Sequence, residues 1–320
     1  MPRRSILSSI ERHALLCIPE TQDELIKHYT FSEADLSLIQ QHRGAANQLG
    51  FAVQLCYMRY PSIILGVDEM PSAMLLRLVS QQLGVDAASW AQYGQREQTR
   101  REHLVELQTA LAFQTFTTTH HYQPTVHGLS DLARQTDKGI VLATALVEKL
   151  RQQKILLPSI NVIERICAEA ITRANRLIYA TLTTPLLSQH HQHLDNLLNI
   201  KEGSKMTWLA WLRQSPAKPN SRHMLEHIER LKTLQAINLP KGIERHIHQN
   251  RLLKIAREGH QMTAADLARF ETQRRYATLV ALVIEGTATV TDESLLQYLS
   301  PLGWEHVNLT GDYLWRTVRS

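Results

Sequence analysis

Arg251, Lys254 and Arg257 recur every third residue in a run of helical character. They close a stretch, residues 207–257, that sets ten Lys or Arg against three Glu. Cations at that density serve one chemistry well, the replacement of counterions along a polyanion. The surplus of seven, ten minus three, exceeds the formal net charge of +5 for the whole chain, so the remainder is slightly acidic and the basicity is local. Lys218, Asn220 and Arg222 extend the row from a loop, and nucleic acid is the partner the pattern points to.

His223, Glu226 and His227 spell HxxEH, the spacing in which two His hold zinc and the Glu activates water. With 16 His in the chain that spacing is readily met, and no Glu-bearing helix downstream offers a further ligand, so no metal site is expected. His190, His191 and His193 read as a polar helix end. The chain has no P-loop pattern, no GxGxxG after a strand and no GxSxG elbow, so neither a catalytic residue nor a cofactor is expected. Cys17, Cys56 and Cys167 are far apart and form no CxxC pair, which argues against a disulfide framework and for a reducing, cytoplasmic setting.

The elements that must position these residues read as helices. Thr30 and Ser32 offer caps for a helix through Leu36, Leu38 and Ile39; Arg43 and Gly44 punctuate; a second helix runs through Leu49, Val53 and Met58 to a stop at Pro61. The pair fits a plain αα-hairpin as well as a helix-turn-helix, and in the latter case Arg43, Asn47 and Gln48 stand where base edges are read. Trp90 to Leu111 reads as one long helix with Arg96, Arg100 and His103 on a basic face beside a stripe of Leu104, Leu107 and Leu111, though Glu97, Glu102 and Glu106 dilute the charge. Phe113 to Gln123 is the best candidate for a strand or loop, and Pro124 to Gly128 for a linker.

Beyond it, Thr136 and Asp137 cap a helix carrying Ile140, Leu142, Leu146 and Leu150 that Pro158 terminates. Ser159 starts another, reaching about Leu182, with Arg165, Thr172, Arg173 and Arg176 available on one side and Ile163, Ile166, Ala170 and Leu177 supplying apolar contacts. Asn220 or Ser221 caps a helix with Met224, Ile228 and Leu231 on one face and Arg222, Glu226 and Arg230 on another. The apolar runs 140–147 and 279–284 fall far short of the roughly 18 residues that span a bilayer, and Glu11, Arg12 and His13 interrupt any export signal, so a soluble protein without a membrane partner is expected.

The run WLRQSPAKPNSRHMLEHIERLK, with HQNRLLKIAREG and RRYATLVAL after it, resembles the amino-terminal half of transposases of the Tn-three family, the enzymes of class II replicative transposons. MPRRSIL, HYTFSEADLSLI, NQLGFAVQLCYMRYP, ILGVDE, YGQREQTRREHL, QTDKGIVLATALVEKLR and AEAITRANRLIY follow that family's order, so the resemblance covers residues 1–293. SLLQYLSPLGWEHVNLTGDYLWR resembles the extreme carboxyl terminus of the same enzymes, which implies an internal deletion joined near Asp292 or Glu293. Trp304, Tyr313 and Trp315 resemble aromatics that pack on the family's catalytic domain.

The resemblance implies that an intact member uses two Asp and one Glu to hold magnesium or manganese for strand cleavage and joining. Asp292, Glu293, Glu305 and Asp312 do not match those positions. The expectation is an all-α chain of two multi-helical DNA-binding domains, 1–125 and 126–290, with helix-turn-helix-like elements and a remnant tail, 291–320. It implies binding to double-stranded DNA at transposon terminal inverted repeats, with intact transposase as a further partner and no strand transfer of its own. A helical transcription regulator and a nonfunctional deletion product are the rival readings.

Overall fold

The computed structural model describes residues 5–66, 69–94, 97–214 and 221–299, the side chains of 221, 222, 224 and 294–299 excepted. Helices come in the order α1 (Ser9–Leu16), α2 (Gln22–Tyr29), α3 (Glu33–Gln40), α4 (Ala45–Arg59), α5 (Ala73–Leu83), α6 (Glu97–Leu111), α7 (Gln123–Ala133), α8 (Gly139–Gln152), α9 (Ile160–Thr183), α10 (Ser188–Asn196), α11 (Trp208–Leu212), α12 (Ser221–Ala236), α13 (Gln249–His260), α14 (Ala264–Ala268) and α15 (Thr272–Leu299). Among the described residues extended pairing is confined to two isolated bridges, Gln114 with Ile155 and Ile200 with Thr207, so the fold is all-α. No helix of the described residues is long and apolar enough to cross a membrane.

The chain divides into two units, Met1–Arg173 and Ala174–Ser320, the division falling within α9. The first unit is organised by α4, whose residues from Leu49 to Met58 are all buried, as expected of a helix that is apolar around most of its circumference. Leu25 and Tyr29 of α2, Ile39 of α3, Leu75 and Val79 of α5 and Leu107 of α6 share its core. Gln54, buried at the centre of α4, is satisfied by both backbone groups of Leu65: its amide donates to the carbonyl at 3.2 Å and its oxygen accepts from the N–H at 3.3 Å.

Residue 125, the expected domain boundary, lies inside this unit. Leu156 belongs to the same core as α4, the Leu157 N–H donates to the Ser62 carbonyl at 2.8 Å, and Tyr122 donates to Glu169 at 2.8 Å. The stretch 124–128, expected as a linker, is the first part of α7, with Pro124 in the opening turn where its missing N–H costs nothing. Residues 113–123 hold the Gln114 bridge and a π-helical turn, Thr118–Tyr122.

Two further expectations give way to packing. The helix expected over 90–111 is split: residues 87–92 form a 3-10 turn, and Gly94 takes φ +69 before α6 begins. A Cβ at Gly94 would lie 2.5 Å from Arg100 Cδ, so both the backbone conformation and the close approach require glycine. On α9 the inward residues are Ile163, Ile166, Ala170, Ala174, Ile178 and Leu182, whereas Leu177 is half exposed.

In the second unit α15 is the central element, packing against α10, α12 and α13. Leu279 to Val283 are buried with Leu252, Ile255 and Ala256 of α13 and Leu234 of α12. Gly259 lets α13 approach α15, since a Cβ there would come within 2.7 Å of Thr278. The inward face of α12 is His227, Arg230 and Leu234; Ile228, expected inside, is 36% exposed. The expected deletion junction at Asp292 or Glu293 falls within α15. Trp304, Glu305, Asp312, Tyr313 and Trp315 lie outside the described residues.

Candidate nucleic-acid interface

The ten cations of residues 207–257 sort into three groups. Arg213, Arg230 and Arg251 turn inward. Arg213 donates to the carbonyls of Met262 (2.7 Å) and Gly259 (2.8 Å), and burial brings its guanidinium pKa down to about 10. Arg230 donates to the Gln214 carbonyl at 2.7 Å and lies over the Trp211 ring. Arg251 is 3% exposed and donates to Asn175 Oδ1. Lys218 and Arg222 are not described, the latter in its side chain, and neither is Asn220. Lys232, Lys241, Arg245, Lys254 and Arg257 are exposed.

The stripe of three therefore breaks apart. Steps of three residues rotate by about −60° each around a helix, so a row that begins on the buried face leaves it. Arg251 falls with Leu252 and Ile255 toward the core, while Lys254 and Arg257 reach the surface. Arg257 stands in the field of Glu285, whose carboxyl is held below its usual range first by a hydrogen bond from His260 at 2.7 Å and further by these cations.

On α6 the residues taken for a basic face form the buried one. Arg100 and His103 are 6% and 4% exposed and point the same way as Leu107. Arg100 donates to the Leu65 and Gly66 carbonyls (2.7 and 2.8 Å) and lies over Tyr93. Its bonds staple a loop, and the guanidinium is not presented to a phosphate. Arg96 lies outside the described residues. Arg173 and Arg176 are both exposed on α9.

The turn between α3 and α4 keeps its expected layout. Ser32 and Asp35 form a capping box, with the Ser32 N–H and hydroxyl both at 2.8 Å from the carboxylate. Asp35 also meets Arg59, at the far end of α4, at 2.6 Å. Burial alone raises the Asp35 pKa, but these donors outweigh it and the carboxyl stays below its ordinary value. Thr30 ends α2, its hydroxyl donating to the Ile26 carbonyl. Gly44, with φ +87, caps α4. Arg43 is exposed, and Asn47 and Gln48 each donate one amide N–H back to the turn, to the Arg43 and His42 carbonyls at 3.0 Å. A side-chain amide has a second N–H and an oxygen, so both retain a donor and acceptor for a base edge.

His223 pairs with Glu226 at 3.3 Å, while His227 is buried and faces Glu293 at 3.6 Å, so the two histidines point to different surroundings. His190 accepts from the Leu187 N–H and caps α10, and His191 packs against Tyr276 with the rings tilted by 38°. Exposed cations that the spacing argument passed over are Lys205, Lys232, Lys241 and Arg245. Their signal was present but unreadable: they sit in turns or on the outer side of α12, where no periodicity marks a surface.

The chain is thus an all-α protein whose second unit holds Arg213, Arg230 and Arg251 inward and exposes Lys232, Lys241, Arg245, Lys254 and Arg257. A domain of unknown function (DUF4158) matches residues 6–170. Over 293 residues the chain is 71% identical to the transposase for transposon Tn3926 and 65% identical to that for transposon Tn21, both of Escherichia coli. It is 58% identical over 294 residues to the transposase for transposon Tn501 of Pseudomonas aeruginosa. Each match covers 92% of this chain and 30% of the relative, so the chain spans about 30% of the length of these proteins. The chain belongs to the Tn-three family of transposases.

Proposed function

We propose that this chain binds double-stranded DNA at the terminal inverted repeats of its transposon, in the bacterial cytosol, without cutting it. The observation that supports this most is the exposure of Lys232, Lys241, Arg245, Lys254 and Arg257 on one unit of a chain whose relatives are transposases. Phosphate contacts from these residues, and from Arg173 and Arg176 on α9, supply affinity; Arg43, Asn47 and Gln48 at the α3–α4 turn act as a helix-turn-helix that reads bases. Binding needs no divalent ion, because the work is done by fixed cations; magnesium or manganese belongs to strand transfer in intact relatives. Intact transposase is the natural competitor for the same ends.

The test is a mobility-shift titration of the purified chain against terminal-repeat duplex, random duplex and promoter duplex, with and without EDTA. Tighter binding to the repeat is expected, with log affinity falling linearly as log salt rises and no effect of EDTA. A flat salt response sinks the proposal, and preference for a promoter would assign the chain to transcription regulation.

A further inference from the structure

In the second unit, residues of α10, α11, α12 and the loop 197–202, His193 and Glu202 among them, line an open-sided pocket of about 420 Å³. Trp208 forms one wall, and Asn196, Asn199 and Ile200 contribute to the lining. Asn199 Nδ2 donates to Asn196 Oδ1 at 3.2 Å, which leaves the Asn196 side-chain N–H groups and Asn199 Oδ1 for a ligand. Donor and acceptor side by side match the hydrogen-bonding edge of a nucleobase, and the indole beside them, already met by Lys201 Nζ at 4.4 Å and packed edge-on with Trp211, supplies an aromatic wall.

Ile200 is 67% exposed. Its backbone is nonetheless pinned: it bridges to Thr207, the Lys201 N–H donates to the Met206 carbonyl at 2.9 Å, and the Trp208 N–H donates to the Asn199 carbonyl at 3.0 Å. Gly203, at φ +70, closes the turn of this small hairpin. An apolar side chain held out to solvent on a fixed backbone is what DNA-kinking proteins insert between base steps. Lys205 in the same hairpin and Lys232, next in sequence to Thr233 of the pocket wall, are exposed cations.

We propose that the pocket receives a single nucleobase extruded from duplex DNA, with Ile200 filling the vacated place in the stack. Asn196 and Asn199 hold the base edge and Trp208 holds its face. The inference rests on the DNA-binding reading above, and it adds that recognition includes unpairing one nucleotide rather than reading an intact duplex throughout.

Terminal-repeat duplexes carrying one unpaired nucleotide at successive steps, bound by the full 320-residue chain, test it. One step is expected to bind about tenfold tighter than perfect duplex, because the unstacking is already done. Replacing both Asn196 and Asn199 by Ala, at exposed positions that leave the core untouched, removes that gain, and Trp208→Phe keeps it. Ile200→Ala weakens binding of the perfect duplex more than of the bulged one. No gain at any step overturns the inference, as does a gain that persists in the double Asn variant, which marks flexible DNA acting as a hinge. Equal affinity of the wild-type chain for perfect repeat and random duplex removes instead the reading on which the inference rests.

Discussion

Burial separates the cations of this protein into an inward and an exposed group. Arg251 donates to Asn175 inside the second unit, whereas Lys254 and Arg257 stand at its surface. Arg251→Ala should therefore lower stability by about 2 kcal/mol, since half-buried Asn175 loses its donor and the core loses a packed side chain, and change the salt slope of DNA binding little. Lys254→Ala and Arg257→Ala, at exposed positions, should change urea unfolding by no more than about 0.5 kcal/mol and each reduce the salt slope by roughly 0.9. Equal loss of stability in all three variants would return the surface pair to the core.

His103 makes a second residue-scale case. Burial first, and the neighbouring His42 second, bring its pKa from 6.5 down to about 4. Its Nδ1 lies 3.3 Å from the Tyr93 hydroxyl, and its ring packs against His42 at 4.3 Å. Because the unfolded chain takes up this proton first, the stability contributed by neutral His103 is full above pH 6.5 and is lost as pH falls toward 4. The loss should amount to about 2–3 kcal/mol in urea unfolding between pH 7 and pH 4. His103→Leu should flatten that window; an unchanged profile would show that another group titrates there.

At the scale of the element, α4 shows how a helix is placed by what it lacks. Gly50 sits mid-helix, where alanine ordinarily adds up to about 1 kcal/mol of stability. Here a Cβ would lie 2.0 Å from the Tyr93 ring. Gly50→Ala should thus destabilise the first unit by more than about 2 kcal/mol, measured by thermal unfolding, because an aromatic ring wedged against a helix cannot yield without opening the core. Gly44 and the Ser32–Asp35 box made the α3 and α4 boundaries readable in advance, since caps are local chemistry. The break at Gly94 was not readable: a lone glycine in a helical pattern becomes a stop only because Arg100 folds back against it. The same holds for α7, where Pro124 looked like a linker and serves as a first-turn residue.

For the whole molecule, the match to 30% of each relative's length frames the expectation about activity. The purified chain with magnesium or manganese should bind terminal-repeat duplex and neither nick nor join it, as read on denaturing gels. Expressed beside an intact transposase, it should occupy the ends and lower transposition in proportion to its concentration, by mass action. Metal-dependent cleavage that copurifies with the chain and disappears when one of its carboxylates is replaced would overturn this. The chain divides at Arg173, within α9, and residue 125 lies inside the first unit. Contacts such as Tyr122 to Glu169 and Leu157 to Ser62 bind segments far apart in sequence into one core, and no local signal announces them.

The sequence by itself determined the helical class, the capped start of α3, the localisation of charge to residues 207–257 and, through long ordered matches, the family. These follow from period, cap chemistry and composition, all of which act over a few residues or over simple sums. Tertiary structure alone decided which cations face inward. A helix carries several faces, its own sequence does not say which one the rest of the chain will cover, and a guanidinium that finds acceptors inside offsets part of the cost of leaving water. So Arg100, Arg213, Arg230 and Arg251 became internal staples, and Lys232, Lys241, Arg245, Lys254 and Arg257 stand exposed.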